Sequence, residues 1–252
     1  MKALVTRPRD DAASLARALA ERGIEAVIEP MLTIAPVAEG ARQLAEQLAG
    51  VQALLFTSAN GVRAFAAASV RRELPVFAVG DASAAAARLA DFRSVASAGG
   101  DVADLAQLVA ARLAPQNGAL IHAAGTETAG DLAGALGTAG FTVRRVRLYD
   151  AVPVPALAPD TIAALRRGEI GLACFFSPRT AITFARLAAA GNVVDACRGI
   201  IAFALSAAVA AALAELPWKS LRIAAAPTQR DLLAALDDVL AARSAHPVSG
   251  GA

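Results

Sequence analysis

The sequence predicts an α/β protein with two similar parallel-sheet domains of the doubly wound, flavodoxin-like kind, joined by a two-stranded linker. First, short apolar runs alternate with stretches of helical periodicity along the chain. Second, segments of the first half recur in the second half. Third, two extended runs bounded by proline lie between the repeated parts. Strands that alternate with helices form parallel sheets covered on both faces.

The elements follow one another as strand, turn and helix. Strands are predicted at 3–5, 24–28, 53–56, 76–79, 95–98, 119–122 and 141–149. Helices are predicted at 14–22, 62–68, 84–89, 102–113 and 128–136, with Asp10 and Asp11 at a helix start and Gly23 as a C-terminal cap. A tail from Ser244 to the end is rich in Ser, Pro, Gly and Ala and is expected to be flexible.

A comparison of the chain with itself indicates an internal duplication. The run 54–58 resembles 173–177, 78–80 resembles 202–204, 104–105 resembles 231–232, and 3–5 with Gly23 resembles 119–121 with Gly140. The offset between matching segments drifts slowly, as insertions between two copies of one domain produce. A tandem division near residue 116 would satisfy this pattern.

Two connecting segments, 30–36 and 147–153, share an extended character and are bounded or closed by proline. They are expected to be two strands that cross between the domains, with a hinge and a cleft beside them. Ligand sites favour such domain interfaces and the carboxyl ends of parallel strands.

Composition excludes several classes of protein. The 252 residues are 56% apolar and 18% charged, which excludes disorder. A net charge of +2 and 4% aromatic residues argue against a general nucleic-acid binder. The longest uncharged stretch, 199–214, is too short to span a bilayer, and the opening residues do not resemble a signal peptide. Cys174 and Cys197 fit no zinc motif and are expected to be buried. The prediction is therefore a reduced, cytoplasmic protein. A monomer is the default expectation.

The turns after the predicted strands carry small hydrogen-bonding residues. They are Thr6, Arg7, Thr57, Ser58, Asn60, Gly80, Ser83, Ser177, Ser206 and Thr228. Their side chains, with the free amides of the following helices, can bind anions such as the carboxylates of one ligand. Plain helix capping is the alternative for each turn taken singly, because Ser, Thr and Asn are common caps.

Common enzyme motifs are absent: the sequence has no GxGxxG, P-loop, HExxH or GxSxG. His122 ends a strand, where it either donates to an anion or is held by its neighbours. Tyr149 lies on the second linker, where it either faces the cleft or packs in the core. Trp218, in a loop, is expected to pack rather than bind.

These motifs, in this order, make the chain resemble the uroporphyrinogen-III synthase family from residue 1 to about 240. The residues that carry the resemblance are Thr6-Arg7-Pro8 with Gly23 and Pro30, 56–62 with Phe65, Val79-Gly80 with Ser83-Ala84, Tyr149, Phe176-Ser177-Pro178 and Ala226-Pro227-Thr228. The resemblance implies a discontinuous first domain, 1–35 plus 154–243, and a second domain, 38–146.

The resemblance also implies the chemistry. Hydroxymethylbilane, a linear tetrapyrrole with eight carboxylates, would lose water from ring A and close with ring D inverted through a spiro intermediate. No cofactor or metal is implied, since folding the substrate into a reactive geometry is the main task. Tyr149 would donate a proton to the leaving hydroxyl, while the turn residues and His122 would bind carboxylates. A transient contact with the preceding enzyme of the pathway is a further expectation.

The chain departs from the family pattern at two places. The usual Gly-x-x-Thr-Ala reads Ala204-Leu205-Ser206-Ala207-Ala208, and the segment after His122 lacks the usual Arg, for which His122 and Thr126 are candidate substitutes. Two other functions therefore stay open: a non-catalytic, hinged protein that binds an anion or a tetrapyrrole, and a degenerate synthase-like regulator.

Overall fold

The computed structural model describes residues 1–127 and 130–245. The chain divides into two compact units. Unit 1 is Met1–Thr33 together with the chain from Pro153 onward, and unit 2 is Ile34–Val152. The division falls at 33/34 and 152/153, whereas the resemblance implied a first domain of 1–35 plus 154–243 and a second domain of 38–146.

Helices and strands alternate through both units. Unit 1 begins with β1 (Lys2–Val5), α1 (Arg9–Ala20) and β2 (Glu25–Ile28), after which β3 (Leu32–Pro36) leads into unit 2. Unit 2 contains α2 (Ala38–Gln47), β4 (Val51–Phe56), α3 (Ala59–Ala68), β5 (Val76–Ala78), α4 (Asp81–Leu89), β6 (Val95–Ser97), α5 (Val102–Arg112), the 3-10 helix Pro115–Asn117, β7 (Ala119–Gly125), α6 (Leu132–Thr138) and β8 (Val143–Pro153). The chain returns to unit 1 with α7 (Pro159–Arg166), β9 (Ile170–Phe175), α8 (Pro178–Ala190), the 3-10 helix Val194–Gly199, β10 (Ile201–Ala204), α9 (Ala207–Ala211), β11 (Ser220–Ile223) and α10 (Gln229–Ala245).

The two sheets have the same spatial order of strands, but the chain enters that order at a different strand in each. Sheet 1 has the order β11-β10-β9-β1-β2, and sheet 2 has the order β6-β5-β4-β7-β8 with β3 added beside β8. Within each of these five-strand sets, the neighbouring strands are parallel. In chain order, sheet 1 is the flavodoxin-like 2-1-3-4-5 arrangement. Since β9 matches β4 and β1 matches β7, the strand order agrees with the duplication inferred from the sequence.

Each sheet is buried on both faces. In unit 1, Leu4 and Phe175 pack beneath α7 and α8, whereas Val5 and Phe203 pack beneath α1 and α10. In unit 2, clusters of the same kind lie under α2, α3 and α4 on one face and under α5 and α6 on the other. Burial of a large aliphatic or aromatic side chain contributes about 1.5–3 kcal/mol, so these four clusters are the main source of stability.

The two cysteines and the tryptophan have the structural roles expected of them. Cys174 and Cys197 are free and fully buried, and burial raises the pKa of Cys174 to about 12 and that of Cys197 to about 11. Trp218 packs on Phe184 and Phe175 and donates a hydrogen bond to the Leu213 carbonyl at 3.0 Å.

Several element bounds differ from those expected. Helix α1 begins at Arg9 rather than residue 14, because Pro8 presets the backbone and Asp10 and Asp11 in the first turn interact favourably with the helix dipole. The predicted start of a helix at Thr128 lies outside the described residues, and α6 begins after Asp131, whose side chain accepts from the Gly134 amide. The expected tail overlaps α10, which continues to Ala245, and the rest of it lies outside the described residues.

The expected linker at 147–153 is the second half of one long strand, β8. Both β3 and β8 cross the division between the units, and they are neighbours in sheet 2. Gly23 has a φ of +68°, which suits a residue without a side chain and confirms its expected position after the first helix. Among the residues described, no helix combines the length and the apolar character needed to cross a membrane.

Candidate functional site

The sequence-predicted residues gather at the carboxyl ends of the parallel strands, called here the carboxyl edge of each sheet. At the edge of sheet 1, the order follows the strands: Thr228 after β11, Ser206 after β10, Ser177 after β9, and Thr6 with Arg7 after β1. At the edge of sheet 2, Thr57, Ser58 and Asn60 follow β4, Gly80 and Ser83 follow β5, and His122 and Tyr149 lie within β7 and β8. Each edge contains a point where the strand order reverses, between β9 and β1 and between β4 and β7, and ligands of open α/β sheets bind at such points.

Three serines at these edges are helix caps of the same design. Ser58, Ser177 and Ser206 have extended backbones, and their hydroxyl oxygens accept from the third amide of the following helix at 3.1, 3.2 and 3.4 Å. Capping therefore occupies an oxygen lone pair of each side chain. The Thr180 hydroxyl donates to the Ser177 carbonyl at 2.9 Å, so the Ser177 hydroxyl, 3.1 Å from the Thr180 oxygen, gives its proton to Thr180. Ser206 keeps its hydroxyl proton for another acceptor.

Compared with Ser206, Thr228 and Thr6 have more of their hydrogen-bonding capacity occupied. Thr228 accepts from the Asp231 amide at 3.1 Å and donates its proton to the Asp231 carboxylate. Thr6 is fully buried and donates to the Cys174 carbonyl at 2.9 Å, which ties β1 to β9. In this structure, both hydroxyl protons are used inside the protein.

Tyr149 packs in the core, one of the two alternatives that the sequence left open, and its hydroxyl makes a hydrogen bond there. Its ring belongs to the core cluster under α2 and α3, and the residue is only 8% exposed. Its hydroxyl lies 2.8 Å from the Ser58 hydroxyl oxygen. Gly125 lies against the ring: a Cβ at this position would stand 2.8 Å from Cε2 of Tyr149.

A shift in strand register accounts for the direction of the Tyr149 side chain. Between Ala124 and Gly125 the pairing of β7 with β8 slips, so that Ala124 is opposite Arg147 and Gly125 is opposite Tyr149. Strict alternation would put Tyr149 on the same side of β8 as Arg147. The irregularity instead buries Leu148 and Tyr149 in the same core cluster.

His122 is buried beside the reversal point of sheet 2. Its Nε2 lies 3.1 Å from the Thr57 hydroxyl oxygen, and the residue is 3% exposed. Burial, with a smaller contribution from the positive charge of Arg145, lowers the pKa of His122 to about 4. The ring is therefore neutral at pH 7, so His122 brings no positive charge for a carboxylate.

A cluster of charges surrounds the end of β7. Arg145 donates to the carbonyls of Gly125 and Thr126 at 2.7 and 2.6 Å, and Arg147 pairs with Asp150 at 2.8 Å. The hydrogen bond from Thr126 and the pairing with Arg147 hold the pKa of Asp150 below its usual value. Arg145 and Asp150 were missed by the sequence reasoning, which noted only Thr126 here.

The remaining predicted residues of sheet 2 differ in accessibility. Asn60 accepts a hydrogen bond from Arg63 at 2.5 Å, and Ser83 is buried with 4% exposure. Gly80 caps α4 with an extended backbone and open space around its Cα. A carboxylate can reach the backbone at Gly80 more easily than the Ser83 hydroxyl.

Arg7 is a cation at the edge of sheet 1. Its guanidinium carbon lies 3.7 Å from the centroid of the Phe176 ring, and it donates to Oε1 of Gln229 at 2.8 Å. Gln229, the first residue of α10, was also missed, since no local pattern links it to a residue 222 positions away.

One of the two departures from the family pattern lies in a short turn. Ala204 is the last residue of β10, and Ser206 caps the five-residue helix α9 that contains Ala207. The cap is kept although the glycine and the threonine are missing, so the local backbone is built without them.

Two α/β units, each with a five-strand parallel set whose order reverses once along its carboxyl edge, define a protein of the doubly wound α/β class. The family model described as "Uroporphyrinogen-III synthase HemD" matches residues 13–234. The chain belongs to the uroporphyrinogen-III synthase family, and synthesis of uroporphyrinogen III is the function that this membership indicates.

Solved structures agree on the fold. A uroporphyrinogen-III synthetase from Helicobacter pylori superposes with a TM-score of 0.61 at 15% identity, covering 95% of this chain and 100% of that chain. A mutant uroporphyrinogen III synthase from Thermus thermophilus gives 0.53 at 21% identity, covering 98% and 100%. Among curated proteins, none matches the chain significantly. These structures show the fold, and the family match is what supports the synthase function.

Proposed function

We propose that the chain is a cyclising hydro-lyase that converts hydroxymethylbilane into uroporphyrinogen III and water. The observation that carries the proposal is the pairing of Tyr149 with Ser58 at the carboxyl edge of a sheet, in a chain whose family model covers residues 13–234. Family membership supports the overall reaction, and this geometry supports the role of Tyr149 in it.

The first chemical step is the loss of the ring A hydroxyl. Pyrrole nitrogen electrons expel the hydroxyl as the carbon–oxygen bond breaks, and the Tyr149 hydroxyl donates the proton that lets it leave as water. The Ser58 hydroxyl lies 2.8 Å from the Tyr149 oxygen. In this proposal Ser58 takes the donor role, which stabilises the phenolate that forms. Positioned proton transfer of this kind accelerates a step by about 10²–10⁴-fold at most, and the activated pyrrole provides much of the driving force itself.

The following steps need positioning more than acid or base. The azafulvene carbon of ring A bonds to the substituted carbon of ring D, and the spiro product breaks its bond to the neighbouring bridge and recloses with ring D inverted. A proton released as the pyrrole regains aromaticity returns to the Tyr149 phenolate, so that no net proton is consumed.

Binding of the substrate carboxylates is assigned to the carboxyl edges. The Ser206 hydroxyl, the backbone around Gly80 and the Arg7 guanidinium supply donors in this structure, and Ser177 supplies one when its hydroxyl turns away from Thr180. Helix N-termini add their partial positive charge, which favours anions by about 0.3–1 kcal/mol each. Thr6 and Thr228 contribute by holding the turns in place.

The test is an isomer analysis of the product. Purified protein is mixed with hydroxymethylbilane made by its synthase, and the products are oxidised and separated as type I and type III porphyrins. We expect type III to dominate, whereas the reaction without this protein gives type I. Type I alone, at the rate without protein, would refute the proposal and would favour the non-catalytic or regulatory alternative.

We extend the proposal to the setting of the enzyme. We expect a cytoplasmic monomer that receives its unstable substrate directly from the preceding enzyme. Light scattering on the purified chain measures its mass, and a lag in product formation that disappears when the two enzymes are mixed at high concentration measures the transfer.

A further inference from the structure

Arg7 is held in a single orientation by two neighbours that carry no charge. The Phe176 ring lies under the guanidinium at 3.7 Å, and the Gln229 amide oxygen accepts from Nη1 at 2.8 Å. Stacking on an aromatic face is a favoured geometry of guanidinium groups and leaves the N–H groups at the rim of the stack free to donate. Two of the three residues are in turns after neighbouring strands, and the third begins α10.

The charge of Arg7 is only partly compensated within the protein. Burial lowers the pKa of Arg7, and this effect exceeds the favourable interaction with the Asp11 carboxylate. A partly buried cation with a neutral hydrogen-bond partner gains from an added carboxylate, because the desolvation cost of the cation is already met in the folded protein.

The orientation of the Gln229 amide follows from its partners. Arg has donors only, so the Gln229 oxygen must face the guanidinium. The Ser14 hydroxyl, at 3.4 Å, also donates to this oxygen. Within the part of the chain that the structure describes, both hydrogen bonds to the Gln229 side chain go to the oxygen, which leaves the NH₂ group as an outward donor next to the cation.

We propose that Arg7 and Gln229 together bind one carboxylate of the substrate, with Phe176 as the residue that positions the guanidinium. The inference rests on the proposed function for the identity of the ligand, a propionate or acetate side chain of a tetrapyrrole. The carboxylate accepts from a guanidinium N–H and from the Gln229 NH₂. The glutamine thus has two roles: its oxygen orients the arginine and its nitrogen binds the ligand.

The decisive variant is Gln229→Glu, which is nearly the same size. A glutamate would pair with Arg7 inside the protein and would remove the NH₂ donor, so it would act as a built-in competitor of the substrate. We expect KM for hydroxymethylbilane to rise about tenfold or more, the size of one hydrogen bond to a charged group, while kcat stays within about twofold. Gln229→Ala should raise KM by less, about threefold, because it removes a donor without adding a charge.

Phe176 is tested by its shape. Phe176→Leu removes the aromatic face and should raise KM. Phe176→Tyr keeps the face and should have the KM of the parent protein. Gln107→Glu, on the exposed face of α5 in unit 2, controls for the added negative charge and should leave KM unchanged. Circular dichroism and thermal melting establish that each variant is folded.

A binding measurement that does not depend on turnover accompanies the kinetics. Quenching of the fluorescence of uroporphyrin III, a stable octacarboxylate, reports its dissociation constant for each variant. An unchanged dissociation constant and KM in folded Gln229→Glu would overturn this proposal while leaving the proposed function intact. Failure of the parent protein to form type III isomer would instead remove the function itself.

Discussion

The hydroxyl oxygens of Ser58 and Tyr149 are 2.8 Å apart, although the residues belong to different strands and turns of sheet 2. Ser58 also accepts from the Gly61 amide at 3.1 Å, so the serine is fixed by the helix that it caps. Since the Tyr149 ring is held by the core, the tyrosine hydroxyl has little freedom at either end. This pair is therefore held in place from both sides, as the proposed proton donor requires.

Tyr149→Phe tests the proton donor. We expect kcat to fall about threefold to tenfold without loss of the type III product, since the activated pyrrole also loses water unaided. An unchanged kcat would remove Tyr149 from the mechanism. The measurement is the initial rate of uroporphyrinogen formation at saturating substrate.

Ser58→Ala tests the partner of the tyrosine. The loss of the cap should lower the free energy of unfolding by about 1 kcal/mol and should also lower kcat. Asp101→Ala removes the cap of α5 in the same unit, whose side chain accepts from the Ala103 amide at 2.7 Å, and should lower stability alone. If Ser58→Ala and Tyr149→Phe act as one unit, the double variant is no slower than the slower single variant.

Gly125→Ala tests whether the position of the Tyr149 ring matters. The new methyl group would stand 2.8 Å from Cε2 and 2.9 Å from Cζ of the tyrosine, so the ring must shift. We expect kcat to fall with a smaller change in KM. Gly137→Ala in α6, where a Cβ meets nothing within 4 Å, is the matched control and should leave the rate unchanged while adding up to about 1 kcal/mol of stability.

The lowered pKa of His122 predicts how the free energy of unfolding depends on pH. The pKa of His122 is about 4 in the folded chain against 6.5 for an ordinary histidine, so the unfolded chain binds the extra proton between these two values. The neutral ring contributes its full share to the free energy of unfolding above pH 6.5. This share is lost as the pH falls towards 4, and the total loss is about 3 kcal/mol. Urea unfolding at pH 7 and pH 4.5 should show a smaller pH effect in His122→Gln than in the parent protein. An equal effect in both would contradict this account.

Glu29 is a buried carboxylate that joins distant parts of unit 1. It is 6% exposed and accepts from the Ala158 amide at 3.1 Å and from the Thr161 hydroxyl, at the start of α7. In Glu29→Gln, one acceptor becomes an NH₂ group that faces a donor, so we expect a loss of about 1–3 kcal/mol in the free energy of unfolding. Glu25→Gln, whose side chain is 68% exposed, should change stability by less than about 1 kcal/mol.

Much of the fold was predictable because local patterns encode it. Apolar runs such as 53–56 and 119–122 are strands, and hydroxyl residues such as Ser58 and Ser177 follow strands as caps. The repeat between 54–58 and 173–177 matches strands at the centres of both sheets. Because the carboxyl ends of parallel strands share an edge, the sequence also predicted which residues lie along the carboxyl edge of each sheet.

Local sequence patterns specify the alternation of elements, the duplicated domain and the residue types at the strand ends. Long-range packing sets which of those residues keep a donor or a charge available for a ligand. It buries Thr6 and Ser83, keeps His122 neutral and brings Gln229 to Arg7. A shift in register turned Tyr149 into the core, where strict alternation would have left it beside Arg147. The physical reason is that periodicity and capping act over a few neighbouring residues, whereas burial, register and hydrogen-bond pairing depend on segments far apart in the chain.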